Sequence, residues 1–486
     1  MAQTSSTGGQ QADRLRKNAL GVLGITFFVV SAAAPLTAVA GGFPLAMLLG
    51  DGAGVPFATT LVMLLLLLFS VGYTAMSRHI ANAGSFFAFT ARGLGGVSGG
   101  AAAYIAVLAY NTMQIGLYGL FGAVAAGTFE GILGISAPWW VWSAIALVVT
   151  AILGYRQIDL SAKILGVLVA IEYIVVLILD AAIVAKGGDS GLSMASFSMD
   201  ALTSGAPAIG MLICFAGFMG FEATTIYSEE AIDPERTVPR ATYISVLVIG
   251  IFYSFTTWCM VNGAGFDKLM GVLGGLKDPT TFIFVLSDTF VGSWLTTLMS
   301  LLLISSVFAA LLAFHNAAAR YFYVLGREGL LPAGLGQTHD DHQSPHLGSV
   351  LQTGLAIVVL GIFVATGQDP IFALFTWLTN LATLSIITLM SLVSFSVVAF
   401  FAAKSGLEPS VFKATLAPLA AGLLLAVVVY LVVTNFTALT GANDALAYGL
   451  VALVPIFGAA GALAATKLKS ESSARYAELG AHQIGK

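Results

Sequence analysis

The sequence predicts an all-α integral membrane protein with twelve transmembrane helices. Composition, the number of apolar runs and the placement of basic residues each point there. The chain of 486 residues is 58% hydrophobic and 9% charged, with a mean hydropathy of +0.93. Soluble domains carry about 25% charged residues, so the natural solvent of this surface is lipid. Runs long enough to span a bilayer, about 20 mostly apolar residues, fall near 20–49, 54–76, 97–129, 138–155, 160–185, 205–228, 240–264, 292–325, 347–366, 371–402, 413–434 and 446–466. With the N-terminus inside and strict alternation, 17 of the 20 Lys and Arg fall on the inner side, and only Lys186, Lys268 and Lys277 fall outside. The positive-inside rule predicts this bias for two cytoplasmic termini. A miscounted span would invert every later loop and erase it.

In chain order, Met1 to Gln11 is rich in Ser, Thr, Gly and Gln and reads as a disordered tail. The first apolar run is about twice the length of a signal-peptide core, so it reads as a membrane helix. The third and eighth runs are long, which implies tilt or extension beyond the lipid. Gly95, Gly96, Gly99 and Gly100 form two overlapping GxxxG pairs at the start of the third span, a close-packing surface. Trp139, Trp140 and Trp142 read as an interfacial belt. Cys214 and Cys259 lie in apolar runs and read as buried thiols.

Two spans read as interrupted. The first carries Ser31-Ala32-Ala33-Ala34-Pro35 near its middle, where proline removes a backbone donor and crowds the preceding turn. The sixth carries Ala216-Gly217-Phe218-Met219-Gly220-Phe221-Glu222. Taken singly, a tolerated kink and a glycine packing surface explain these stretches equally well. Together they occupy corresponding places in two five-helix halves, the best sequence pointer to a transporter site. Broken helices bring amide donors and carbonyl acceptors to the midplane. Their positive ends attract carboxylates and their carbonyls attract cations.

The segment after the sixth break runs Glu229-Glu230-Ala231-Ile232-Asp233-Pro234-Glu235-Arg236-Thr237-Val238-Pro239-Arg240-Ala241. With Phe218-Met219-Gly220-Phe221-Glu222 before it, this resembles a signature of the amino acid–polyamine–organocation (APC) permeases. Asn316, Arg320 and Gly326-Arg327-Glu328-Gly329-Leu330-Leu331-Pro332 look like a second signature of that family. Ala83-Gly84-Ser85-Phe86-Phe87-Ala88-Phe89 through Arg92-Gly93-Leu94-Gly95 is similar to its amphipathic segment between the second and third spans. The resemblance covers nearly the whole chain and implies a LeuT-like five-plus-five inverted repeat. The repeats would occupy 20–185 and 186–402, with two further helices at 403–466 and cytoplasmic tails at 1–19 and 467–486. It also implies amino acids or related amines as substrates, bound between spans 1, 3, 6, 8 and 10. One departure matters. Many members carry a Gly-small-Gly triplet where the substrate carboxylate docks, whereas this chain has Ala32-Ala33-Ala34-Pro35, which restricts backbone approach. That leaves a polyamine or simple-amine carrier open.

Candidate substrate-binding residues are Ser31, Ala32, Ala33, Ala34, Pro35, Asn111, Gln114, Ala216, Gly217, Phe218, Gly220, Glu222 and Trp377, with Thr379 and Asn380 beside Trp377. Asn111, Gln114 and Tyr118 share one helical face. Such groups line a pathway or bond a neighbouring helix, and both readings stand. Glu222 either holds the amides of the break or meets an ammonium group. Glu172, mid-span in the fifth run, is the candidate coupling residue, because a carboxyl in lipid is functional by default. It takes a proton, or helps hold Na⁺ together with Ser305 and Ser306 of the eighth span, or is a structural hydrogen bond to a neighbouring helix; helix packing is the plainer role for the serine pair. Several proton-coupled members of that family carry a lysine in the fifth span that matches Glu172, a further departure. Glu229, Glu230, Arg236 and Arg240 read as a salt-bridge set at the cytoplasmic end.

Other classes fit less well. No basic stripe marks a nucleic-acid surface. No filter loop marks a channel, and no P-loop marks a motor. His339-Asp340-Asp341-His342 and His346 read as a solvated loop before a metal site. The prediction is a permease of the cytoplasmic membrane, not an enzyme, needing no cofactor beyond a coupling H⁺ or Na⁺. Its partners are a small amine-bearing solute and the bilayer. Uptake and exchange, and monomer and dimer, remain alternatives.

Overall fold

A computed structural model describes residues 20–80, 84–156, 162–226, 228, 231–339, 344–404, 406–408, 410–441 and 444–481. The N-terminal tail, Glu229, Glu230, Asp340, Asp341 and His342 lie outside the described residues. Among the described residues, ten helical stretches are long and apolar enough to cross a membrane. The first, Val22–Ser77, has 56 residues and covers the first two predicted runs. The sixth predicted run falls on a shorter apolar helix, Pro207–Gly217. The third and eighth runs form the longest single helices, Gly96–Leu133 and Ser293–Glu328, of 38 and 36 residues.

Both predicted interruptions are breaks in the helix. Helix Val22–Ala32 stops because Pro35 has no N–H to give to Ser31 and its ring crowds that turn. The chain reverses its sense at Ala34, which has φ 43° and ψ 74°, and resumes as short α and π turns from Pro35 to Asp51. A left-handed alanine costs about 1–2 kcal/mol. In the sixth span, helix Pro207–Gly217 gives way to turns and resumes at Ala223–Ile226. Gly220 lies between them with φ +107°, and a Cβ there would come 3.0 Å from the Ala32 Cβ. The two breaks are therefore in contact.

The ends of the broken spans are tied differently. At the end carrying the chain tails, the Ile232 N–H donates to the Leu20 carbonyl at 2.8 Å. At the far end, the Ala206 N–H donates to the Gly50 carbonyl at 3.0 Å. There a Cβ on Gly50 would strike the Gly210 backbone, and one on Gly210 would strike the Asp51 carboxylate. Lys268, in the loop after the seventh span, places its Nζ 2.6 Å from Oδ2 of Asp189 in the loop preceding the sixth and holds that carboxyl below its usual range.

The glycine pairs at the start of the third span pack as their spacing implies. Gly99 meets Ala91 of the amphipathic helix Phe86–Leu94, and Gly100 meets the carbonyl of Gly461 in the last span. A short C-terminal helix, Ser473–Ala477, lies across the same end. Its Tyr476 ring covers Gly96, and Arg475 Nη2 donates to the Arg327 carbonyl at 3.4 Å. Arg236 pairs with Asp233 of its own turn at 3.6 Å, an exposed contact that stabilises little. Among the described residues no three His, Cys, Asp or Glu side chains gather as a metal site. Cys214 and Cys259 are buried and free.

Substitutions of opposite sign test this account. Gly210→Val overpacks the far-end contact and lowers stability by about 1–3 kcal/mol. Ala34→Gly removes the left-handed penalty and raises it by about 1 kcal/mol. Thermal unfolding in detergent should show the first midpoint lowered and the second raised; equal midpoints would contradict both assignments.

A cavity between two broken spans

Between the two breaks lies a cavity of about 60 Å³. Roughly 10–15 Å³ accommodates one water, so the space admits a solute of only a few heavy atoms. Ala32, Ala33 and Ala34 form one wall, and Ala216 and Gly217 another. Met113 of the third span, Phe314 of the eighth, and Thr379 and Asn380 of the tenth complete it. The remaining candidates stand off the cavity for identifiable reasons. Ser31 lies on the turn before the wall. Pro35 is buried behind the break. Phe218 turns its ring edge to Tyr253, 5.6 Å between centroids. Trp377 packs on Phe363 of the ninth span at 6.0 Å. Asn111 Nδ2 donates to the Val107 carbonyl of its own helix at 2.7 Å. Gln114 is a helix-to-helix bond: it donates to Tyr118 at 2.9 Å and accepts from Gln352 of the ninth span at 2.6 Å.

Each break holds a carboxylate beside it. Glu172 is buried at 2% exposure, and its Oε2 accepts from the Leu36 N–H at 3.3 Å and from Ser306 Oγ at 2.8 Å. Thr37 Oγ1 in turn donates to Ser306 Oγ at 3.0 Å. The fifth and eighth spans thus grip the restarted half of the first, at an amide left without a helical acceptor. Ser305, one residue away, donates to its own helix at Leu302, 2.8 Å, and does not join this set.

Glu222 does the same for the sixth span. Its Oε2 accepts from the Gly220 N–H at 2.9 Å and its Oε1 from Tyr110 Oη at 2.8 Å. It does not line the cavity. Around it a hydroxyl network closes the tail end. Tyr73 Oη donates to the Glu222 carbonyl at 3.0 Å and bonds Ser85 and Thr225. Tyr110 stacks on Tyr321 at 4.9 Å, and Tyr321 Oη donates to the Gly84 carbonyl at 3.3 Å.

The sequence reading passed over two buried acids. Asp180, on the fifth span two turns beyond Glu172, accepts from Thr256 Oγ1 at 2.7 Å. Asp51 sits fully buried at the far-end contact. Both fall within a few residues of predicted span ends, where an acid looks like an interfacial residue. Their burial comes from packing of the seventh and sixth spans, which periodicity does not reveal.

The amino acid permease family model matches residues 18–471. The chain belongs to the amino acid permease family. This permease is therefore a multi-pass membrane transporter rather than an enzyme. It is 23% identical to the low-affinity putrescine importer PlaP of Escherichia coli K12 over 319 residues, 63% of this chain and 67% of that protein. It is 27% identical to the branched-chain amino acid permease BcaP of Lactococcus lactis over 154 residues, 32% of this chain and 31% of that one. Over 156 residues it is 29% identical to the gamma-aminobutyric acid permease of E. coli K12, 32% of each chain. The permease thus spans about two thirds of the importer and about a third of each of the other two.

The serine pair offers a clean contrast. Ser306→Ala removes a hydrogen bond to a buried carboxylate and should cost about 1.5–3 kcal/mol. Ser305→Ala removes only a bond within its own turn and should stay within about 0.5 kcal/mol. Denaturation of the two variants in detergent measures the difference, and equal losses would contradict the assignment of Ser306 to Glu172.

Proposed function

We propose that this permease is a secondary active transporter carrying amino acids or related amines across the cytoplasmic membrane by alternating access. The cavity between the two broken spans carries the reading. Twelve crossings follow if Val22–Ser77 crosses twice and Pro207–Ile226 crosses once as a broken pair. A five-plus-five inverted repeat is supported by matched lengths: 38 and 36 residues in the third and eighth spans, 18 and 20 in the fourth and ninth. The basic-residue bias supports cytoplasmic termini. The activities of the relatives, an importer of putrescine and permeases for amino acids, support the substrate class.

Coupling runs through Glu172. As a carboxylate it accepts from Leu36 and Ser306 and so ties the first span to the fifth and eighth. A proton on it weakens both bonds and releases the restarted half-helix, giving the bound ion a differential effect on two conformations. Thr37, Ser306 and Glu172 also set three oxygens together, which gives sodium a specific foothold as the alternative coupling ion.

Proteoliposomes loaded to give a pH gradient or a sodium gradient separate these readings. Wild-type uptake should respond to one gradient, and Glu172→Gln should lose that response while retaining solute exchange. Uptake by Glu172→Gln with unchanged pH and sodium dependence would remove Glu172 from the coupling step.

A further inference from the structure

The polar groups of the cavity are unusually one-sided. Three polar side chains line it: Thr37, Thr379 and Asn380. Thr37 donates its hydroxyl to Ser306, and Thr379 donates its own to the Phe375 carbonyl at 2.8 Å. What each has left to offer is acceptor lone pairs. Asn380 Nδ2 donates to the Thr376 carbonyl at 2.7 Å. That bond fixes the amide orientation, since only nitrogen can face a carbonyl. Its Oδ1 is then the free end. It is buried and without a partner among the described residues, on a residue 3% exposed. A buried acceptor left unpaired costs about 1–3 kcal/mol, so one on a cavity wall points to a donor that arrives with the ligand.

The backbone points the same way. Helices Val22–Ala32 and Pro207–Gly217, 11 residues each, both end at the cavity by their C-termini. Those ends carry partial negative charge and free carbonyls. Most of the complementary amides are already engaged. Ala33, Ala34 and Ala38 donate to carbonyls of their own segment, Pro35 has no N–H, and Leu36 donates to Glu172. In the sixth span Phe218, Met219 and Phe221 donate locally, and Gly220 donates to Glu222. The protein's own carboxylates thus occupy two of these amides, those of Leu36 and Gly220.

Resting on the transporter reading above, we infer that the substrate is a small amine without a carboxylate, its ammonium held by Asn380 Oδ1 and the carbonyl ends of the two broken helices. An α-amino acid would place its carboxylate against carbonyls and lone pairs, with the Leu36 and Gly220 amides already taken. A burial of that kind is strongly unfavourable.

The test pairs each amino acid with its decarboxylation product: alanine with ethylamine, valine with isobutylamine, ornithine with putrescine. Binding to the purified full-length chain in detergent is measured by calorimetry and by thermal shift. At least one amine should bind about tenfold or more tighter than its parent acid, a difference of about 1.4 kcal/mol. An amino acid binding as tightly as its amine overturns the inference and leaves the transporter reading intact. Binding by no member of any pair overturns both. Asn380→Leu should weaken amine binding by about tenfold, whereas Asn380→Asp, which keeps the acceptor and adds charge, should retain or tighten it. The unfolding midpoint of each unliganded variant reports that it is folded, and a folded Asn380→Leu with wild-type affinity also overturns the inference.

Discussion

A backbone amide without an acceptor is not tolerated inside a bilayer, because no water is present to replace the lost bond. This permease breaks two of its helices at the depth of its cavity, and the rest of the structure answers that demand. Glu172 reaches from the fifth span to the Leu36 amide, and Glu222 folds back onto the Gly220 amide. Each carboxylate needs further donors of its own, which Ser306 and Tyr110 supply from the eighth and third spans. The two caps therefore fix which spans pack together. They also convert local backbone defects into connections among five spans: the first, fifth and eighth at Glu172, and the third and sixth at Glu222.

The capping arrangement makes any ion that binds Glu172 a structural participant. A carboxylate that only filled space would titrate without moving anything. One that holds the start of a half-helix changes the helix's attachments when its charge changes. The left-handed Ala34 adds strain at the same point, stored where two arrangements of the chain meet. In the proposed coupling, placement of strain and charge at one junction would give a small cation leverage over a whole span.

Much of the architecture was legible in the sequence because its causes are local. Apolar runs of spanning length, Pro35 after three alanines, and Gly217 and Gly220 beside Glu222 each carry their meaning within a few residues. Glycines 96, 99 and 100 announced a packing face, though not that Ala91, Gly461 and Tyr476 would fill it. The site was legible only in part. The alanine triplet and Ala216-Gly217 form the cavity walls, because both breaks expose them. Gln114 and Trp377 look equally suited on sequence, yet they face the ninth span, since helix rotation depends on packing partners many residues away. Ser305 and Ser306 differ by one position, 100° of helical turn, and only the second points at Glu172. Asp51 and Asp180 gave no sign, because an acid near a span end reads as a surface residue until its neighbours are known.

Contacts of different chemistry lie on the two sides of the cavity. At the far end, glycine backbones touch directly, with one carbonyl–amide bond and little polar side-chain surface between them. At the tail end, Tyr73, Ser85, Thr225, Tyr110 and Tyr321 close the way through hydroxyl groups. Water can replace a hydroxyl bond almost one for one, so parting the tail-end closure exchanges partners at nearly constant enthalpy. Parting the far-end contact instead wets close-packed backbone and the buried Asp51. In the proposed alternating-access cycle, moving between two open forms would be a passage between a solvated rim and a dry one, and the temperature dependence of the two half-steps should differ in kind, the dry one carrying the larger heat-capacity change.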